Sequence, residues 1–196
     1  MNIILASQSP RRRELLTQMG LTYQVRPADI AEHMDRALPP HALVEAISAE
    51  KAAAAAANAS PDDLIIAADT VVALDGAVLG KPADELEAFR MLSTLSGGRH
   101  QVYTGVTVLA GDEKHTEYEV TDVTFRELSE QEIEDYIRTG EPMDKAGAYG
   151  IQGYGALFIE GIQGDYYNVM GLPVCRLGRM LERVGVNCMR LAAGRD

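Results

Sequence analysis

LIIAADTVVALDGAVLG, residues 64–80, carries two structural instructions in one line. Residues 64–68 are an unbroken apolar run that ends at Asp69. That is the pattern of a strand buried on both faces, since a strand with one wet side alternates. From Thr70 onward an Asp-Gly pair stands between two apolar runs. The pair tolerates the positive φ angles of a two-residue turn, so an antiparallel hairpin is predicted there. A buried strand followed by a hairpin predicts a mixed sheet rather than a purely parallel one.

Working outward, IILAS (residues 3–7) reads as a short buried strand, and Ser9-Pro10 supplies an N-cap and a first-turn proline. Leu15, Leu16 and Met19 give the following helix an apolar face before Gly20 stops it. LTYQVRPA (21–28) is read as a strand. A long helix from about His41 to Asn58 follows Pro39-Pro40, its alanine run being a strong helix former. Downstream, ADELEAFRMLSTL is helical and closed by Ser96-Gly97-Gly98. QVYTGVTVLA and EYEVTDVTFREL are long strands around the polar turn GDEKH. SEQEIEDYIRTG is a helix with a capping box from Ser129 to Glu132 and Gly140 as its stop. A Gly-rich segment, DKAGAYGIQGYG, is expected to lead into a final hairpin through GIQGD, and LPVCRLGRMLERVG makes the last helix. No internal repeat or long linker interrupts this order. The expectation is one α/β domain over residues 1–196, a mixed twisted sheet flanked by helices.

Composition narrows the function classes. The chain is 46% hydrophobic and 24% charged, ordinary for a globular protein. No apolar run approaches the roughly 20 residues of a membrane helix, and MNIILA is too short for a signal sequence. A cytoplasmic, membrane-free protein is expected. With 18 basic against 29 acidic residues the net charge is −11, which argues against broad nucleic-acid binding but not against a local anion site. Cys175 and Cys188 lack metal-type spacing, as do the four histidines. No Ser-His-Asp or Cys-His arrangement and no GxSxG elbow is present.

The candidate chemistry lies elsewhere. A strand, a Ser-containing turn and a helix start at ASQSPRRRELL aim backbone N–H groups outward, a ready anion site. Ser7 and Ser9 add hydroxyls, and Arg11 and Arg12 add planar forks suited to phosphate oxygens. Arg13 is expected to be a solvated neighbour. Three cations at the positive end of a helix make sense once a polyanion sits between them. GAVLGKP is not a phosphate loop, being one residue short between glycines and carrying Pro82 where Ser or Thr would stand. Lys81 could still reach a phosphate. Asp69, read as closing a strand, needs a metal, a cation or hydrogen bonds if buried; Lys51, Lys81 and Arg12 are candidate partners. Glu32 is a candidate second metal-binding carboxylate, and oxygen ligands of this kind suit magnesium or manganese. Glycines at 147, 150, 153 and 155 permit close backbone approach to a ligand. Gln152 among them carries a donor and an acceptor, which fits a pyrimidine edge.

Together these segments resemble the Maf family of nucleotide pyrophosphatases, from Leu5 to about Leu181. The motifs are LASQSPRRRELL, Lys51 in AEKA, AADTVV, LGKP, LSGGRHQVYTG, VTDVTFREL, EPMDKAGAYGIQG and GDYYNVMGLP. The resemblance implies two lobes with a central phosphate-binding cleft, often as a homodimer. It also implies metal-dependent hydrolysis of nucleoside triphosphates to monophosphate and pyrophosphate. It places Ser9, Arg11 and Arg12 in a phosphate-binding turn and Glu32, Lys51, Asp69 and Lys81 in the polar active set, with Asp69 activating water. Arg11, Thr70 and Gln152 match the branch that acts on dTTP and UTP; a 7-methyl-GTP branch would show Tyr, Gln and Glu there. The other readings are a 7-methyl-GTP pyrophosphatase and a nucleotide-binding regulator of septum formation with little turnover.

Overall fold

The computed structural model describes residues 2–28 and 38–194. In chain order these form β1 (Ile3–Leu5), α1 (Pro10–Gln18), β2 (Tyr23–Val25), α2 (Pro40–Ala56), β3 (Leu64–Leu74), β4 (Ala77–Leu79) and α3 (Glu85–Leu95). They continue with β5 (Arg99–Ala110), β6 (Glu113–Phe125), α4 (Glu130–Arg138), β7 (Ile159–Gln163), α5 (Tyr166–Met170), α6 (Val174–Arg183) and α7 (Cys188–Ala192). Three short 3₁₀ turns lie between α4 and β7.

The sheet is mixed, as residues 64–80 predict. Its order is β2-β1-β3-β5-β6-β7, with β4 also on β3. β1 runs parallel to β2 and β3, and the other pairs are antiparallel. Asp75 and Gly76 carry φ angles of 50° and 81° in the β3–β4 turn, the double positive φ that an Asp-Gly hairpin requires.

β3 positions the cleft. One of its edges pairs with β5 from Leu64 to Ala73. The other edge is shared: β1 covers Leu64–Ile66 and β4 covers Val72–Leu74. Between them no described strand pairs with this edge of β3, because the chain leaves β1 at Ala6 and turns into α1. Asp69 therefore does not end a strand. It lies inside β3 beside this gap, paired across to Gly105; the apolar run stops at the carboxylate, but Thr70, Val71 and Val72 carry the strand onward.

Side chains alternate along β3. Ile66 and Ala68 join a core with α1 and α6, including Leu15, Leu16, Leu177 and Leu181. Val72, on the same face, joins a second core with α3 and α4 around Leu92, Phe125 and Ile133. Thr70 falls between them, so one face of the sheet carries two lobes with a polar seam. The opposite face is covered by α2, whose Leu43, Val44 and Ile47 pack on Val71 and whose Ala52 and Ala55 pack on Ile65 and Ala67. The helix lies very close at Gly105, where a Cβ would stand 2.3 Å from the Val44 carbonyl oxygen.

Three local expectations change. The turn GDEKH shrinks to Gly111-Asp112, because Glu113 already pairs with Ala110. LTYQVRPA contributes only Tyr23–Val25 to the sheet. GIQGD does not make a hairpin. β7 pairs with β6, and the chain then enters α5, capped by Asp165, whose side chain accepts from the Tyr167 N–H. A short helix, α7, follows α6 where no element was read. The capping box of α4 forms as expected. No helix among the described residues is long and apolar enough to cross a membrane.

Candidate active site

A cavity of about 710 Å³ opens at the gap in β3. Its lining comes from the β1–α1 turn, α2, the middle of β3, the loop after β4 and the Gly-rich segment. Ser7, Ser9, Arg11, Arg12, Lys51, Asp69, Thr70 and Lys81 all contribute. Residues spread over 75 positions of sequence, from Ser7 to Lys81, thus converge on one space. Glu32 and His33 lie outside the described residues.

The β1–α1 turn is built by its serines. Ser9 caps α1, its Oγ accepting from the backbone N–H of Arg12 at 3.5 Å. Ser7 Oγ accepts from the Ser9 N–H and from Arg12 Nη1, both at 3.2 Å. The three arginines then take separate roles. Arg13 is exposed and donates to the Gln8 carbonyl. Arg11 is half-buried, with Nη1 3.8 Å from Asp144 Oδ2. Arg12 is buried, and its guanidinium donates from Nε to the Gly171 carbonyl at 2.8 Å and from Nη2 to Thr70 Oγ1 at 3.0 Å. Arg12, expected to face the ligand with Arg11, lines the cavity and at the same time ties α1, β3 and the end of α5 together in the seam. A buried guanidinium must be hydrogen-bonded to be tolerated; Ser7 is a near neighbour, while Thr70 and Gly171 are distant in sequence.

This seam is a directed chain. Thr104 Oγ1 donates to the Asn168 carbonyl at 3.0 Å, so the Thr70 hydroxyl donates to Thr104 at 2.9 Å while accepting from Arg12. Thr70 thereby lines the cavity with its hydroxyl already committed. Asn168, fully buried, donates to the Val102 carbonyl and to Thr121 Oγ1.

On the α2 side of β3, Lys51 Nζ donates to Asp69 Oδ1 at 2.7 Å, and each side chain is 12% exposed. Gly105 makes this contact possible. It is paired with Asp69 in the sheet, and its missing Cβ lets α2 settle close enough for Lys51 to reach. No described residue donates to Asp69 Oδ2. Lys81 is exposed at the cavity rim.

The Gly-rich segment adds two groups that the sequence reading did not single out. Lys145 and Asp144 both line the cavity. Lys145 Nζ, on a side chain only 15% exposed, donates to Asp144 Oδ1 at 2.6 Å and to the Glu141 carbonyl at 2.7 Å. Burial pushes the Asp144 carboxyl up, but the bond from Lys145 and the charges of Lys145 and Arg11 hold it below the usual carboxylate range. The signal available was a lysine inside a run of glycines. Ile151 reaches the lining, whereas Gln152 is exposed beside it. Tyr149 also lines the cavity, bonded through Oη to Nε2 of the buried His100 at 2.8 Å.

Fold and site define a mixed α/β protein with a charged cleft: five cations, Arg11, Arg12, Lys51, Lys81 and Lys145, share its lining with the strand-borne Asp69 and with Asp144. The chain belongs to the family described as Maf-like protein, whose model it matches over residues 2–184. Similar relatives include the dTTP/UTP pyrophosphatase of Bacillus pumilus, 50% identical over 184 residues, which are 94% of this chain and 97% of that protein. The dTTP/UTP pyrophosphatase of Moorella thermoacetica is 52% identical over 188 residues, 94% of this chain and 96% of its own. A dTTP/UTP pyrophosphatase of Bacillus cereus is 48% identical over 185 residues, 94% of this chain and 96% of its own.

Proposed function

We propose that this protein hydrolyses dTTP, UTP and related pyrimidine nucleoside triphosphates to the monophosphate and pyrophosphate. The observation that carries the reading is Asp69 held by Lys51 at 2.7 Å on the floor of a cation-ringed cavity. Relatives of about 50% identity over almost the whole chain bear that activity in their names.

The triphosphate enters along the serine turn, where Ser7, Ser9 and Arg11 meet phosphate oxygens and Arg12 holds the turn rigid from below. Lys51 holds Asp69 Oδ1 at the cavity wall, and Oδ2, to which no described residue donates, is the oxygen assigned to the water. A water between Oδ2 and the α-phosphorus attacks that phosphorus, its proton passing to Oδ2. The bond from the α-phosphorus to its bridging oxygen breaks, and pyrophosphate leaves with the electron pair. Lys81, Lys51 and Lys145 offset the charge that grows on it. A magnesium or manganese ion would be held by Asp69, which lines the cavity, together with Glu32, which lies outside the described residues. Such ions bind through one or two carboxylates plus substrate phosphates, and no group of three His, Cys, Asp or Glu among the described residues forms a full protein cage. When bound, that ion supplies charge neutralisation on the phosphate oxygens.

Arg11, Thr70 and Gln152 are the positions assigned to the choice of base. Gln152 donates to O4 and accepts from N3–H of uracil or thymine. Its exposed place beside Ile151 suits a group that meets the base as the nucleotide seats. The chain is read as one cytoplasmic domain over residues 1–196, for which the family resemblance implies a homodimer as the assembly to test.

A pyrophosphate-release panel over common and modified triphosphates, with magnesium, manganese and cobalt, tests this. dTTP and UTP are the expected best substrates; preference for 7-methyl-GTP would overturn the choice of base.

A further inference from the structure

The Gly-rich loop that carries Ile151 and Gln152 is held from inside by one acidic side chain. Glu141 begins the 3₁₀ turn after α4. Its Oε1 accepts from Tyr136 Oη at 2.8 Å and from the Gly155 N–H at 3.2 Å, and its Oε2 accepts from the Tyr154 N–H at 2.9 Å. Tyr136 Oη in turn accepts from the Gly150 N–H at 3.2 Å. One carboxylate and its tyrosine therefore fasten both ends of residues 150–155.

The glycines fit this clamp. A Cβ at Gly153 would stand 2.2 Å from Glu141 Oε2, and one at Gly150 would stand 2.6 Å from Lys145 Cε. The loop thus closes around Glu141 and the Lys145 stem; these glycines serve that wrapping, where the sequence had suggested approach to a ligand. Burial pushes the Glu141 carboxyl up, but the donors at Tyr154, Tyr136 and Gly155 more than offset it, leaving it below the usual range. The carboxylate is therefore ionised at neutral pH and accepts all three bonds.

We propose that Glu141 is a positioning residue for substrate choice: by tying Gly150, Tyr154 and Gly155 it holds Ile151 at the cavity and Gln152 beside it, ready for the base. The proposal rests on the pyrimidine-triphosphatase reading. The Glu141 carboxylate takes its bonds from Tyr136, Tyr154 and Gly155, while Lys145 uses the Glu141 backbone carbonyl, which a side-chain exchange leaves in place, so the role of the carboxylate falls on binding and discrimination.

The test compares kcat and KM of the wild type, Glu141→Gln and Tyr136→Phe for dTTP, UTP and dGTP, with melting curves alongside. Glu141→Gln sets an amide N–H₂ against a backbone N–H, so the KM for dTTP should rise about tenfold, with kcat within about twofold. The preference for dTTP over dGTP should fall by a similar factor. Tyr136→Phe, which removes one hydroxyl, should move both quantities the same way by less. Folded variants with KM and preference unchanged, or with kcat lost at constant KM, would overturn the role of Glu141. Failure of both variants to fold would overturn it too, reducing Glu141 to a fold residue. A wild type that hydrolyses neither dTTP nor UTP removes the functional reading and this inference together, an outcome distinct from an active wild type with unaltered variants.

Discussion

Mild acid should destabilise this protein through one buried histidine. His100 is fully buried, its Nε2 pairs with Tyr149 Oη, and its Nδ1 has no hydrogen-bond partner among the described residues. An imidazolium needs acceptors at both nitrogens, so the charged form is disfavoured. Burial lowers the pKa of His100 to about 4, against a weaker upward pull from Asp122. The folded state therefore resists a proton that the unfolded chain takes up at about 6.5. Between these values the unfolded state binds more protons, so the stability is complete above pH 6.5 and is lost as the pH falls toward 4. The shift of about 2.5 units corresponds to roughly 3 kcal/mol in full, of which about 2 kcal/mol is gone by pH 5. Urea unfolding at pH 5 and pH 8, on the wild type and on His100→Gln, isolates this contribution because every other titrating group is common to both. The wild type should lose about 2 kcal/mol more than the variant on going to pH 5. Equal losses in the two proteins would refute the reasoning.

Gly105→Ala should cost about 3 kcal/mol in unfolding free energy, since its Cβ would meet the Val44 carbonyl oxygen at 2.3 Å and lift α2 from the sheet. Activity should fall with it as Lys51 is drawn from Asp69; chemical denaturation and pyrophosphate release measure the two. Lys81→Ala should leave the melting temperature unchanged, because Lys81 is exposed, while kcat/KM for dTTP falls about 10²-fold, as for loss of one oxyanion donor.

Local signals in the sequence were read well where one residue and its near neighbours decide the structure. The Ser9 cap, the Asp75-Gly76 turn and the Ser129–Glu132 box each form as their chemistry requires. The misreadings have a common cause in long-range packing. Arg12 reads as a ligand-facing fork, and its second duty, binding Gly171 and Thr70 that lie 159 and 58 positions away, has no local signal. Asp69 looks like a strand end because hydrophobicity breaks there; the pairing with β5, joined by β4 from Val72, carries the strand past it. The glycines of residues 150–155 were legible as unusual, but their reason is Glu141, reached from another turn. DYYNVM carries no legible helix signal, because five residues are too few for helical periodicity to show and Asp165, its cap, fits a hairpin turn equally well.

The account turns on Asp69 as the group that takes the proton from water. Asp69→Asn keeps the size of the side chain and an oxygen for Lys51, so the protein should fold and still bind dTTP. Pyrophosphate release from dTTP, measured on wild type and Asp69→Asn at matched concentration with magnesium or manganese, should fall about 10²- to 10⁴-fold in kcat. A folded Asp69→Asn protein that releases pyrophosphate at the wild-type rate would contradict it.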